Sequence, residues 1–442
     1  MTALTLAAIG AGNRGADVYA RYALDHPNEA DYIAVAEPIS ERRERLSVAH
    51  DIAPEMQFAS WEELLSKPKL ADAVVIATQD QEHTAPALAA LRAGYDVLLE
   101  KPMATTLADC VALVRAAEAA GRVLQICHVL RYTDFFTQIY DIIQSGRLGD
   151  IITVEHRENV AYWHMAHSYV RGNWRRADET SPMILAKCCH DFDILYWVLG
   201  EKVSRLHSVG SLRHFRPENA PRPDVPARCT DGCPVEAECP FSAPGIYLQH
   251  RPFRAVAGAL GLPPDADLSP YLSWPLTTLA HGDTRPATLR KALEEGPYGR
   301  CVYHSDNDVV DHQVVMMETE GGTSVTLFMH GHSHEQSRTM RYDGTRATLE
   351  AKFAAHNEIL IHDHLTGETE TRRWFGGLDG HGGGDHRLMA GFLQTLRDGT
   401  RAPLTDARAA LESHLLAFAA EDARLTGGSV DMEAFRKRAL VS

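Results

Sequence analysis

The sequence predicts two unlike domains in one chain: an α/β domain built on a parallel sheet, then an α+β domain with a large open, mostly antiparallel sheet. Three observations support this. Strand-like and helix-like runs alternate from residue 3 to residue 126, a glycine-rich turn closes the first strand-like run, and the strand-like runs beyond residue 300 follow one another without helices between them. Alternation implies crossover helices covering both faces of a parallel sheet, whereas consecutive strands pair antiparallel through short turns.

Ala3 to Ile9 is a short apolar run ending in glycines, as a buried parallel strand should be. A helical stretch from about Ala16 to Ala23 follows, then a second strand at Tyr32 to Ala36 and a charged helix from Ser40 to His50 with Ser40 as its cap. Ala73 to Ala77, Asp96 to Leu99 and Val123 to Ile126 supply further strands, separated by helices at His83 to Ala93 and Leu107 to Ala120. The pattern then changes. Phe135 to Ser145 is a helix closed by Gly146, and Ile151 to Val160 and Val203 to Val209 read as strands flanking a helix at about His190 to Leu199. Strands recur at Val309 to Glu318, Ser324 to Met329 and Ala347 to Glu350, and helices at His386 to Asp398 and Thr405 to Thr426 end the chain. The expected division is residues 1–127 and 128–442, with a proline-rich insertion or lid at about 213–300.

Charge and composition narrow the function. The chain has 44 Lys+Arg against 59 Asp+Glu, a net charge of −15, which argues against a dedicated nucleic-acid or anionic-membrane binder. With 45% hydrophobic and 23% charged residues it is an ordinary globular composition, not a disordered one. Apolar runs such as Ala71 to Thr78 are far short of the ~20 residues of a membrane helix. The first residues enter a strand pattern directly instead of a secretory leader, and eight cysteines are too few for a disulfide scaffold, so a cytoplasmic protein is expected.

Gly10-Ala11-Gly12-Asn13-Arg14-Gly15 stands between the first strand and the first helix. Glycines there allow a tight turn and let a pyrophosphate approach the helix N-terminus, whose free N–H groups favour anions. Glu37, at the end of the second strand, is placed to accept hydrogen bonds from ribose hydroxyls and to repel a 2′-phosphate. This is the pattern of a Rossmann dinucleotide-binding domain. It favours NAD over NADP, although Arg42 and Arg43 lie near enough to bear on that choice.

Directly after the strand Asp96 to Leu99 comes Glu100-Lys101-Pro102. With the glycine fingerprint, Ala77-Thr78, Ser145-Gly146-Arg147-Leu148-Gly149 and the His190–Gly200 stretch, the chain resembles the Gfo/Idh/MocA family, named for glucose-fructose oxidoreductase and inositol dehydrogenase. The resemblance extends over most of the chain and is weakest in the insertion. It implies a Rossmann domain followed by a domain with a large open sheet, assembly as a homodimer or homotetramer, and hydride transfer between a nicotinamide and a secondary alcohol of a sugar, glycoside or cyclitol. It implies cofactor contacts at Gly10, Gly12, Asn13, Arg14, Gly15, Glu37, Thr78, His83, Glu100 and Lys101. Lys101 becomes the lysine at the reacting hydroxyl and His190 the candidate acid/base.

The chain departs from the family pattern at one position. An aspartate is expected four residues before the histidine, and Ala186 stands there, followed by Lys187. Lys187 either enters the site as a further catalytic group or faces solvent or pairs with an acid. The segment from Tyr162 to Trp174 is dense in aromatic rings, histidines and arginine, which suits a carbohydrate: rings pack on C–H faces while polar groups bond hydroxyls. His164, His167 and Arg171 are the contacts expected there, with Arg131 and Asp311 as further substrate candidates.

Cys229, Cys233 and Cys239 lie in the insertion and Cys301 at its far end, a set that could hold a structural zinc, remain free thiols or form a disulfide. The three histidines at His330, His332 and His334 would share a strand face, which could bind a metal or border the pocket but reads first as a solvated strand end. Two further functions stay open: a redox-neutral glycoside hydrolase, in which NAD transiently oxidises the sugar, and a non-catalytic NAD-binding regulator.

Overall fold

The computed structural model describes residues 2–441 except 255–257, 259, 260, 264, 267, 269–271, 273 and 378–380, so part of the insertion lies outside the described residues. The first sheet has six parallel strands: β1 (Leu4–Ile9), β2 (Ala30–Ala36), β3 (Gln57–Phe58), β4 (Ala73–Ile76), β5 (Asp96–Leu99) and β6 (Leu124–Ile126), in the order β3-β2-β1-β4-β5-β6. β1 lies at its centre, where Leu6 to Ile9 are sealed on both faces, as an unbroken apolar run requires. The order reverses beside β1, so the loops after β1 and β4 open onto the crevice where such sheets bind ligands.

The second sheet contains β7 (Ile151–Ala161), β8 (Val203–Ser211), β9 (His312–Thr319), β10 (Ser324–Ser333), β11 (Ser337–Gly344), β12 (Ala347–Phe353), β13 (His356–Asp363), β14 (Thr369–Phe375) and β15 (Ser429–Asp431). Its order is β14-β13-β12-β11-β7-β10-β9-β8-β15, and only the β7–β10 pair is parallel. Among the described residues, five of the fifteen strands lie outside the expected runs: β3, β11, β13, β14 and β15. β14 is at the sheet edge, its residues alternating between exposed and half-buried with none buried, so Thr-Glu-Thr-Arg-Arg carries no core signal. β9 begins at His312 instead of Val309, which leaves Asp311 in the preceding loop.

The Met183–Leu199 helix starts seven residues before its expected N-terminus at His190, and thirteen of its seventeen residues are buried. One rigid element therefore presents Ala186, Lys187, His190, Asp191 and Asp193. Another unforeseen feature is the return of the chain to the first domain. Ile126 N–H donates to Thr405 O at 2.9 Å, and the Ala407–Thr426 helix packs against the Met183–Leu199 helix, β8 and the Leu107–Ala120 helix. That helix ties both sheets to one core. Among the described residues no helix is long and apolar enough to cross a membrane.

Candidate active site

The glycine turn has the backbone that its residues demand. Gly10 has φ +91°, and a Cβ there would meet Ala77 O at 2.7 Å. A Cβ on Gly15 would lie 2.1 Å from Gly10 O, so only glycine lets the helix start press against the strand end. Gly12 has open space on its Cβ side, with only an Arg42 guanidinium nitrogen at 4.0 Å, and caps the Asn13–Ala20 π-helix without a side-chain hydrogen bond. That opening beside uncapped N–H groups is the room a pyrophosphate needs. Glu37 is buried, accepting from the N–H of Ala11 at 2.7 Å and of Ile39 at 3.0 Å, and so stands fixed beside the turn with lone pairs to spare. These residues fit a dinucleotide. Asn13 pairs with Asp17, and Thr78, two residues beyond β4, brings its backbone nitrogen against Gly10.

Three of the expected cofactor contacts act from behind the cradle. Arg14 turns inward, donating to Glu100 Oε1 and Tyr19 and pairing with Asp385 at 2.6 Å. Burial pushes the Glu100 carboxyl up, but Arg14 and Lys101 outweigh it and hold it below the usual carboxylate range. Its other oxygen accepts the Lys101 N–H at 2.7 Å. His83 lies beneath the cis Lys101–Pro102 bond and donates through Nδ1 to Pro102 O at 2.7 Å. Arg14, Glu100 and His83 thus shape the turn that presents Lys101.

Lys101 Nζ donates to Ala186 O at 2.8 Å, so where the family pattern has an aspartate this chain offers a backbone carbonyl. His190 follows one helical turn later, buried, with no partner at Nδ1. Burial, then the charge of Lys101 and the neighbouring His128, push its pKa well below the ordinary histidine value, so the ring is neutral. The His128 and His381 rings stand 5.6 Å and 6.1 Å from it. His381 Nδ1 donates to Asp385 at 2.9 Å, which links His190 back towards Arg14. Asp80 is buried on the other side, accepting from Trp174 Nε1 at 2.8 Å and Ser181 at 3.2 Å. Burial raises its pKa even though His83 and Lys101 oppose the shift. Asp80, His128, His381 and Asp385 were not singled out in the sequence. The only signal for them was their residue type, because their neighbours come from distant segments.

A buried polar chain extends from this centre across the second sheet. His164 Nδ1 donates to Gln336 Oε1 at 2.8 Å, and Gln336 Nε2 donates to Glu158 at 2.7 Å. Glu158 pairs with Lys187 at 3.4 Å and with Arg338 at 2.7 Å, and Arg338 continues to Asp191 at 2.8 Å. Lys187 is therefore the lysine paired with an acid, and burial lowers its pKa despite Glu158. Half-buried His164 lies between Gln336 and the insertion's Trp274, whose ring centroid is 4.8 Å away.

Four of the expected substrate contacts have protein partners in the structure. Arg131 is buried in a bidentate pair with Asp193, at 2.7 and 2.6 Å. His167 is bonded to Tyr247 at 2.9 Å and stacked on Tyr298 at 4.6 Å, inside the insertion's aromatic packing. Arg171 is wholly buried and donates to the carbonyls of Arg300 and Phe241, each at 2.7 Å. Asp311 accepts from the N–H groups of Arg213 and His214, so it fastens the start of the insertion. In each case the polar group meets a protein partner, which an isolated sequence segment cannot reveal. Among the described residues no three His, Cys, Asp or Glu side chains form a ready metal-ligand set, so the expected zinc has no preformed site.

Fold and cradle together define a NAD-binding oxidoreductase. Residues 4–128 match the family model described as oxidoreductase family, NAD-binding Rossmann fold, and residues 141–432 match its C-terminal alpha/beta domain. The chain belongs to the Gfo/Idh/MocA family. It is 24% identical over 351 residues to YteT of Bacillus subtilis (strain 168), a protein named only as an oxidoreductase, covering 76% of this chain and 75% of that one. It is 37% identical to 1,5-anhydro-D-fructose reductase of Ensifer adhaerens, but over 34% of this chain and 45% of that enzyme. Inositol 2-dehydrogenase 2 of Saccharopolyspora erythraea is 35% identical over 30% of this chain and 36% of its own length. Among solved structures, an oxidoreductase domain protein from Kribbella flavida superposes with a TM-score of 0.69 at 16% identity, covering 98% of this chain and all of the other.

Proposed function

We propose that this protein is a NAD-dependent oxidoreductase that moves hydride between the nicotinamide and a secondary alcohol of a sugar, glycoside or cyclitol, with Lys101 and His190 handling the hydroxyl proton. The observation that carries this reading is the juxtaposition of a lysine anchored to Ala186 O and a neutral histidine with a free ring nitrogen one helical turn away. Bound in the cradle of Gly10 to Gly15 and Glu37, NAD supplies or takes up the hydride. Lys101 has one of its three N–H donors on Ala186 and two left to hold the substrate oxygen, where negative charge grows as the C–H bond breaks. Neutral His190 receives the hydroxyl proton in the oxidative direction and returns it in the reductive one. His164, steadied by Gln336, meets the sugar's other hydroxyls, and the rings of Trp163 and Trp274, 5.3 Å apart, offer it an apolar face. The carboxylate of Glu37 favours NAD over NADP. Copies of the chain associate as a homodimer or homotetramer through the open face of the large sheet, where Val209 and Met316 are over half exposed; native mass spectrometry reads this directly.

The test is one dual-wavelength assay with NAD and a panel of sugars, cyclitols and nitrophenyl glycosides, following NADH and nitrophenol together. A dehydrogenase accumulates NADH, whereas NAD-dependent nitrophenol release without net NADH overturns it in favour of redox-neutral hydrolysis. In Lys101→Met, turnover should fall by roughly 10²–10⁴-fold, with NAD affinity, read by fluorescence titration, unchanged. Unchanged turnover would remove Lys101 from the mechanism.

A further inference from the structure

The insertion is gathered at its neck. Cys229 N–H donates to Gly299 O at 2.9 Å and Cys301 N–H donates to Ala227 O at 2.8 Å, around an isolated antiparallel bridge between Arg228 and Arg300. Cys233 and Cys239 return to the same place, and all four cysteines line one small cavity of about 10 Å³. Arg171 lines it too. Its Nη2 approaches Cys229 Sγ at 3.5 Å, while its Nη1 is buried without a partner.

Arg171 has no anionic partner of its own among the described residues. Its protein partners are the carbonyls of Arg300 and Phe241, the Cys229 sulfur and the Tyr247 hydroxyl, all uncharged, and no ion pair with a carboxylate is found for it among the described residues. Glu236 borders the cavity but forms no ion pair with it. A guanidinium fully removed from water needs an anion nearby, because burying an uncompensated charge costs several kcal/mol. The four cysteine sulfurs share its cavity.

We propose that Cys229, Cys233, Cys239 and Cys301 together bind one Zn²⁺ ion as a structural centre, with Arg171 as its buried counter-charge. Four soft sulfur donors suit tetrahedral zinc and exclude magnesium or calcium, which take oxygen ligands. Binding replaces four S–H bonds by four Zn–S bonds and releases four protons to solvent. The centre carries a net charge of −2, the anion that Arg171 otherwise lacks. The thiols converge without forming a finished ligand set, so they turn onto the metal as it binds, at Zn–S distances of about 2.3 Å. The ion fastens a long insertion whose Tyr247 and Tyr298 pack on His167, three residues from His164, so it secures one wall of the proposed substrate site. The metal proposal does not depend on the assigned reaction.

The test is the metal content of the full chain, purified without chelator or histidine tag, by plasma mass spectrometry. About one zinc per chain is expected, released into a chromogenic chelator as a mercurial titrates the thiols. Cys233→Ser and Cys301→Ser should lose most of it, whereas Cys110→Ser, outside the cluster, keeps it. Cobalt-substituted protein should show the thiolate-to-cobalt charge-transfer band of a tetrahedral sulfur site. If the serine variants fail to fold, the mercurial release and the cobalt spectrum on the unaltered chain still decide. A metal-free folded chain with four reactive thiols overturns the proposal. So do paired disulfides by intact mass, or iron and sulfide in place of zinc.

Discussion

The glycine turn at residues 10–15 and the aromatic–histidine segment at residues 162–174 are both dense clusters of telling residues, yet they relate to the structure in opposite ways. In the first, Gly10, Gly15 and Glu37 stand where their spacing puts them, because what they do is local: one tight turn, one close approach, one strand end. In the second, a π-helical turn from Met165 to Arg171 directs His167 and Arg171 into the insertion and leaves His164 facing the sheet. A cluster of donors says that polar partners are needed. It does not say whether they come from a ligand or from Tyr247, Phe241 and Arg300, tens of residues further along.

The largest effect that sharpens this contrast belongs to Arg131. Arg131→Met leaves Asp193 buried without its bidentate partner, and stability should fall by about 3–5 kcal/mol. Thermal unfolding measures the loss, and the KM of the protein that does fold should stay unchanged; a raised KM at unaltered stability would return Arg131 to the substrate site. The two histidines come next. His164→Ala should raise KM by roughly tenfold, the loss of about 1–2 kcal/mol of hydrogen bonding, whereas His167→Phe should leave KM within twofold. Equal effects would erase the distinction between the two faces of the turn.

A pH effect is shared by His167 of the aromatic segment and by His414, which lies outside both regions. Burial, aided by Arg171, pushes His167 down to about 3, and burial, aided by His128, does the same to His414, whose Nε2 accepts the Met103 N–H at 2.7 Å. Unfolded, each ring takes a proton near pH 6.5; folded, it resists until about pH 3. Their contribution is therefore complete above pH 6.5 and declines as pH falls towards 3, by at most about 1.4 kcal/mol per pH unit for each ring. Melting temperatures between pH 7 and 5 should show this decline, and a His167→Phe chain should show a shallower one. An identical slope would mean that His167 is protonated in the folded protein.

The parallel sheet was legible because a strand buried on both faces is an apolar run, and Leu6–Ile9, Ala73–Ile76 and Val97–Leu99 are such runs. β11, β13 and β14 were not, because each has a polar or exposed face, and Arg338, Glu358 and Arg373 interrupt any apolar signal. The fold class and the glycine turn were written in local spacing, and the approach of Lys101 to the helix that carries His190 in the family motif. The partners of Lys187, Arg131, His167, Arg171 and Asp311, the approach of Asp80 to Lys101, and the gathering of His128 and His381 around His190 arose only when distant segments met. The physical reason is that a glycine turn answers to its own backbone torsions, whereas a buried charge or imidazole answers to whatever polar group packing brings within about 3 Å of it.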